Sequence, residues 1–155
     1  WGRPDMAPML FADAITNDRS IKVINNGNMS RDFTYVGDIV DGIIKVIDNP
    51  AKPSENFDAN NPDPSISTAP YKIYNIGNNS PVQLLDFIKT LEKAIGKEAT
   101  KNFMDMQDGD VVSTYADVSD LVNDFGYKPD TSLEVGIERF VKWYKEFYDK
   151  KGDDK

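Results

Sequence analysis

Between Ile21 and Ile47 the hydrophobic period of the chain changes. Ile21-Lys22-Val23-Ile24 is a short, largely β-branched run bounded by turn residues. Further on, Ile39, Val40, Ile43, Ile44 and Ile47 recur three and four apart, which predicts a helix from Val36 to Asp48. A strand that gives way to an amphipathic helix points to α/β packing. The join is Gly27-Asn28-Met29-Ser30-Arg31-Asp32-Phe33-Thr34-Tyr35-Val36-Gly37-Asp38. A glycine turn opens it, Ser30 to Tyr35 reads as a second strand, and Asp38 falls near the positive end of the helix. Arg31 stands at this junction between a serine and an aspartate. A planar, always-charged guanidinium can grip a diphosphate there. A structural Arg31–Asp32 pair is the plainer alternative.

The remaining elements follow from caps and breakers. A helix is expected from Pro4 to Asn17, bent at Pro8 or starting later. Asn49 to Pro70 holds five prolines and almost no apolar period, so it reads as a long loop. Tyr71 to Ile76 alternates as a strand. Ser80-Pro81-Val82-Gln83 has the form of a capping box, opening a helix that stops at Gly96. A strand near Thr100 to Met104 leads to Gln107 and Asp110, and Asp117 or Ser119 could cap a brief helix ending at Gly126. Thr131-Ser132-Leu133-Glu134 is a second capping box. It opens a long helix with Ile137, Phe140, Val141, Tyr144, Phe147 and Tyr148 inward. Residues 1–149 are expected to form one domain, and 150–155 a charged, frayed tail.

Composition removes several chemistries. The chain has no cysteine and no histidine, so thiolate nucleophiles, Ser-His-Asp triads and ordinary zinc sites are out. The density of Asp and Asn from Asp58 to Asp63 suggests a calcium loop, but Pro62 stands where such a loop wants Asp or Asn; no metal is expected. A net charge of −8 argues against nucleic acid. No apolar run is long enough for a membrane span, and the lack of cysteine fits a cytoplasmic protein. The start on Trp1 rather than Met suggests a piece of something longer. No glycine cluster has the spacing of a dinucleotide-binding turn.

Arg31-Asp32-Phe33-Thr34-Tyr35-Val36-Gly37-Asp38 resembles the RDF/Y-x-x-V-x-D segment of the extended short-chain dehydrogenase/reductase sugar-nucleotide epimerases. Trp1-Gly2-Arg3-Pro4-Asp5-Met6, Tyr74 to Val82, Met106 to Val111 and Tyr115 to Ser119 are similar to further stretches of that family. Their order and spacing resemble the C-terminal part of the UDP-glucuronate 4-epimerases most closely, and the long Asn49–Pro70 stretch is similar to an insertion of that subgroup.

The resemblance implies a small mixed α/β C-terminal lobe, packed in the parent protein against an N-terminal Rossmann domain carrying NAD. It implies inversion of UDP-glucuronate to UDP-galacturonate through a 4-keto intermediate, by a protein that is a homodimer. The family's base is a Tyr-x-x-x-Lys pair, and no tyrosine here has lysine four residues on. The lobe is therefore expected to bind the UDP-sugar and not to catalyse alone. Arg31 is implied to grip the diphosphate and Arg3 to face the sugar carboxylate. Lys22 and Ile24 would cradle uracil and ribose, and Asp110 would accept from the ribose hydroxyls. Gln107 stands where galactose-type relatives carry a diphosphate-binding arginine. A UDP-hexose 4-epimerase, a decarboxylating or dehydrating relative and a non-enzymatic binding module are the alternatives.

Overall fold

The computed structural model describes residues 4–149, which divide into two compact units. Within the described residues the first comprises 4–33, 81–114 and 131–149; the second comprises Thr34–Ser80 and Tyr115–Asp130. The fold class is mixed α/β, as the change of period suggests.

In the first unit, α1 (Ala7–Thr16) begins later than Pro4 because Pro8 is tolerated only in a first turn. It leads to β1 (Ile21–Val23), which runs parallel to β4 (Lys101–Phe103) with Lys22 opposite Asn102. Ile24 does not continue the strand: it opens a tight turn, Ile24–Gly27, in which Asn25, Asn26 and Gly27 all have positive φ. β2 is only Ser30–Arg31 rather than a strand to Tyr35, and it pairs antiparallel with β3 (Val82–Gln83).

That pairing overrides the capping box at Ser80. The backbones of Val82 and Gln83 are drawn into the ladder, and the Leu84 N–H donates to the Met29 carbonyl at 2.8 Å. Helix α3 (Leu84–Ile95) accordingly starts after Gln83 and ends at Gly96, whose φ is +85°. The second capping box is displaced by one residue. Ser132 Oγ accepts from the Val135 N–H at 3.4 Å, and α5 spans Leu133–Asp149.

α1, α3 and α5 pack around one core that includes Phe11, Ile15, Ile21, Val23, Phe87, Ile88, Leu91, Ile137 and Val141. Phe33 stacks on Phe87 with ring centroids 4.5 Å apart. Tyr144 is buried as expected, beside Met9 and Ala12, while Tyr148 is exposed.

The second unit holds α2 (Val36–Ile47), the long proline-rich loop and α4 (Ser119–Phe125). The Asp117 carboxylate accepts from the Ser119 N–H at 3.0 Å ahead of α4, and Gly126 ends that helix with φ +59°. Residues 71–77 do not form the expected strand. Their burial alternates as a strand's would, but the single bridge between Ile66 and Lys72 is their only sheet pairing among the described residues. On the inner side of that segment, Lys72 and Tyr74 both reach Asp124 Oδ2, at 2.5 and 2.6 Å. Tyr127 donates from its buried hydroxyl to the Gly77 carbonyl at 3.2 Å.

Candidate functional site

Arg3 lies outside the described residues, as does the 150–155 tail. The other five residues singled out from the sequence, Lys22, Ile24, Arg31, Gln107 and Asp110, all belong to the first unit. Backbone pairing and hydrogen bonds join several of the segments that carry them. Parallel strands β1 and β4 point the same way, so the connections leaving their carboxyl ends emerge side by side. Ligands of open α/β sheets bind outside such strand ends.

Two backbone hydrogen bonds tie these connections together. The Met104 N–H donates to the Val23 carbonyl at 3.0 Å, and the Asn26 N–H donates to the Met104 carbonyl at 2.9 Å. The Asp110 N–H donates to the Gln107 carbonyl at 3.2 Å, closing a turn whose Gly109 has φ +86°. Gln107 and Asp110 are both exposed on it. Lys22 projects to solvent from the middle of β1, whereas Ile24 is half-buried against the core.

Arg31 is held from a third direction. The chain beyond Asp110 runs alongside β2: the Ser30 N–H donates to the Val112 carbonyl at 2.9 Å, and the Thr114 N–H to the Ser30 carbonyl at 3.3 Å. The Ser30 and Ser113 hydroxyls are 2.7 Å apart, and the Asp32 N–H donates to Thr114 Oγ1 at 3.2 Å. Arg31 itself donates from Nη1 to the carbonyls of Ser30, at 2.7 Å, and Val112, at 3.2 Å. One guanidinium nitrogen thus anchors the side chain, while Nε and Nη2 keep the remaining donors of the fork. The residue is half-buried, which reduces solvent screening of its charge.

Polar groups that the motif reading passed over lie just beyond β1 and β4. Asn26 Nδ2 is 3.5 Å from Asp105 Oδ1, and Asn25 Nδ2 donates to the Asn28 carbonyl at 2.8 Å. The signal was Asn-Asn-Gly directly after a strand, since asparagine and glycine are the residues that best accept positive φ. The described residues contain no cluster of His, Cys, Asp or Glu able to hold a metal ion. They do not fit a dinucleotide either: Gly27, the glycine following β1, leads into β2 rather than into a helix. No helix among them is long and apolar enough to cross a membrane.

Arg31 is half-buried, and Gln107 and Asp110 are exposed on the turn that precedes its Val112 anchor. Residues 3–77 match the NAD dependent epimerase/dehydratase family. The chain is 54% identical to Protein CapI of Staphylococcus aureus over 97% of its own length and 45% of that protein. It is 40% identical to UDP-glucuronate 4-epimerase 1 of Arabidopsis thaliana, over 96% of this chain and 34% of that one. Among solved structures it resembles UDP-glucuronic acid 4-epimerase from Bacillus cereus in complex with UDP-glucuronic acid and NAD. The TM-score is 0.76 at 29% identity, over 94% of this chain and 41% of that chain. The chain is thus similar to part of the NAD dependent epimerase/dehydratase proteins, which are extended short-chain dehydrogenases/reductases. It spans less than half the length of these relatives.

Proposed function

We propose that residues 1–149 are the sugar-nucleotide-binding part of an NAD-dependent UDP-glucuronate 4-epimerase, the enzyme that interconverts UDP-glucuronate and UDP-galacturonate. The observation that carries this reading is the half-buried Arg31, fastened through the Val112 carbonyl to the chain that leaves the Gln107–Asp110 turn. Relatives described as UDP-glucuronate 4-epimerases support the choice of substrate.

In this reading Arg31 meets the diphosphate with the part of its fork not anchored on Val112 and Ser30. The Asp110 carboxylate accepts from the ribose hydroxyls, and Lys22 and the Ile24 backbone flank the uridine. Gln107 offers the diphosphate a neutral amide, so Arg31 carries most of the local positive charge. Arg3 holds the sugar carboxylate with a bidentate pair, which fixes the ring and opposes loss of the carboxylate while C4 is a ketone. NAD and the tyrosine–lysine pair belong to the portion of the relatives that this chain does not span. The full protein works as a homodimer in the cytoplasm.

Calorimetric titration of UDP-glucuronate, UDP-glucose and UDP tests the assignment. UDP-glucuronate is expected to bind more tightly than UDP-glucose, and Arg3→Ala to remove that preference while leaving UDP affinity unchanged. Equal affinity for the two sugars would move the assignment to a UDP-hexose 4-epimerase. A folded chain that binds none of the three would end it.

A further inference from the structure

Val111, Val112, Ser113 and Thr114 are all exposed, so apolar burial does little to hold the segment that anchors Arg31. What fastens it to β2 is polar. The Ser30 N–H donates to the Val112 carbonyl and the Thr114 N–H to the Ser30 carbonyl, at 2.9 and 3.3 Å. Ser113 consequently lies opposite Ser30 in parallel register. The hydroxyls of the two serines meet at 2.7 Å, the shortest of these contacts.

So short a pairing specifies its own register poorly. β2 is only Ser30–Arg31, and its other side is taken by Val82 and Gln83. A slip of residues 112–114 by one position would exchange the faces of their side chains. It would also bring a different carbonyl to Arg31, whose Nη1 rests on that of Val112 at 3.2 Å. The serine pair opposes the slip. Val112 has no hydroxyl to put in the place of Ser113, and Thr114 Oγ1 is engaged by the Asp32 N–H at 3.2 Å. Ser30 is 9% exposed, so its hydroxyl has little water to turn to when Ser113 moves away.

We infer that Ser30 and Ser113 are positioning residues: their hydroxyl pair fixes the register of residues 112–114 on β2 and, through the Val112 carbonyl, aims the Arg31 guanidinium at phosphate. Neither serine is placed on the ligand. The inference rests on the reading above in taking Arg31 as the diphosphate contact. It adds that phosphate affinity depends on a hydroxyl contact between residues 83 apart in the chain.

The test titrates UDP and uridine, followed by NMR, into the 155-residue chain and its Ser113→Ala and Ser113→Thr variants. Ser113→Ala is expected to lower UDP affinity about fivefold. Uridine affinity should stay the same, because uridine lacks the phosphates that Arg31 meets. Ser113→Thr keeps the hydroxyl and should keep the UDP affinity. Hydrogen exchange provides the second measurement: the Thr114 amide should exchange faster in Ser113→Ala, with β1 and β4 unchanged. Equal losses for UDP and uridine would make the effect one of general folding and overturn the inference. Unchanged UDP affinity in Ser113→Ala, or an unchanged Thr114 amide, would also overturn it. An unsubstituted chain that binds UDP no better than uridine would instead bring down the functional reading, and with it the ligand half of this inference. The Thr114 amide decides the register half by itself.

Discussion

Arg31 and Val112 are 81 residues apart in the chain, and the guanidinium of the first donates to the carbonyl of the second at 3.2 Å. The bond fastens the arginine to the segment that leaves the Gln107–Asp110 turn. Arg31 is thus both a charge at the site and a clasp between two of its walls. Arg31→Lys keeps the charge but replaces a planar fork by a point charge on a flexible stem. UDP affinity should fall about tenfold, roughly 1.4 kcal/mol, as read by calorimetry. Unchanged affinity in the lysine variant would remove Arg31 from the diphosphate role.

Gly27 closes the left-handed turn between β1 and β2 with φ +83°, and a Cβ there would lie 2.8 Å from Leu85 Cγ. Gly27→Ala combines backbone strain with overpacking of α3. It should cost about 2–4 kcal/mol, measured by urea denaturation. A loss below about 0.5 kcal/mol would mean that Leu85 and the turn relax together.

Glu92 feels two opposed effects. Burial alone would push its pKa up, but the hydrogen bond from Lys101, the Ala99 N–H and the positive charge of Lys101 outweigh burial and hold it below its ordinary value. A carboxylate with a depressed folded pKa stabilises fully above its unfolded pKa, and loses that contribution as pH falls through the lower, folded one. Lys101→Met should therefore flatten the acid limb of the stability profile below about pH 4.5, seen in urea midpoints across pH. An acid limb parallel to that of the unmodified protein would show that the pair contributes little.

Tyr144 is one of seven tyrosines, and burial, reinforced by the nearby Asp13 carboxylate, raises its pKa to about 12. In spectrophotometric titration Tyr144 should ionise late, and Tyr144→Phe should remove a late step. Because the folded pKa is raised, the associated stability is present below the unfolded value near 10 and is lost as pH rises toward 12. The phenylalanine variant should consequently resist alkaline unfolding better, provided that the 3.4 Å contact to Asp13 contributes little by itself.

Much of the fold could be read from short-range signals. Helical periodicity locates α2, α3 and α5, and the glycines at 96 and 126 end their helices; neither Asp117 nor Ser119 caps α4, whose N-cap is Val118. Arg31, Gln107 and Asp110 could be nominated because their motifs are contiguous in sequence. The hydroxyl pair of Ser30 and Ser113 and the Val112 anchor could not, since neither residue's role is visible without the other.

Resemblance to the epimerases nominated most of the candidates for an anionic ligand; the sequence by itself determined which segments are helical and where most of them stop. These are properties of a few consecutive residues: a period, a cap, a left-handed turn. The tertiary structure alone decided that Val82 and Gln83 join a strand instead of starting a helix, because Ser30 and Arg31 compete successfully for their backbone. It also decided that Arg31 is anchored on Val112, and that α2 turns its aliphatic stripe outward. Each of those outcomes depends on which distant groups satisfy a backbone donor or cover an apolar surface, and local sequence does not encode that choice.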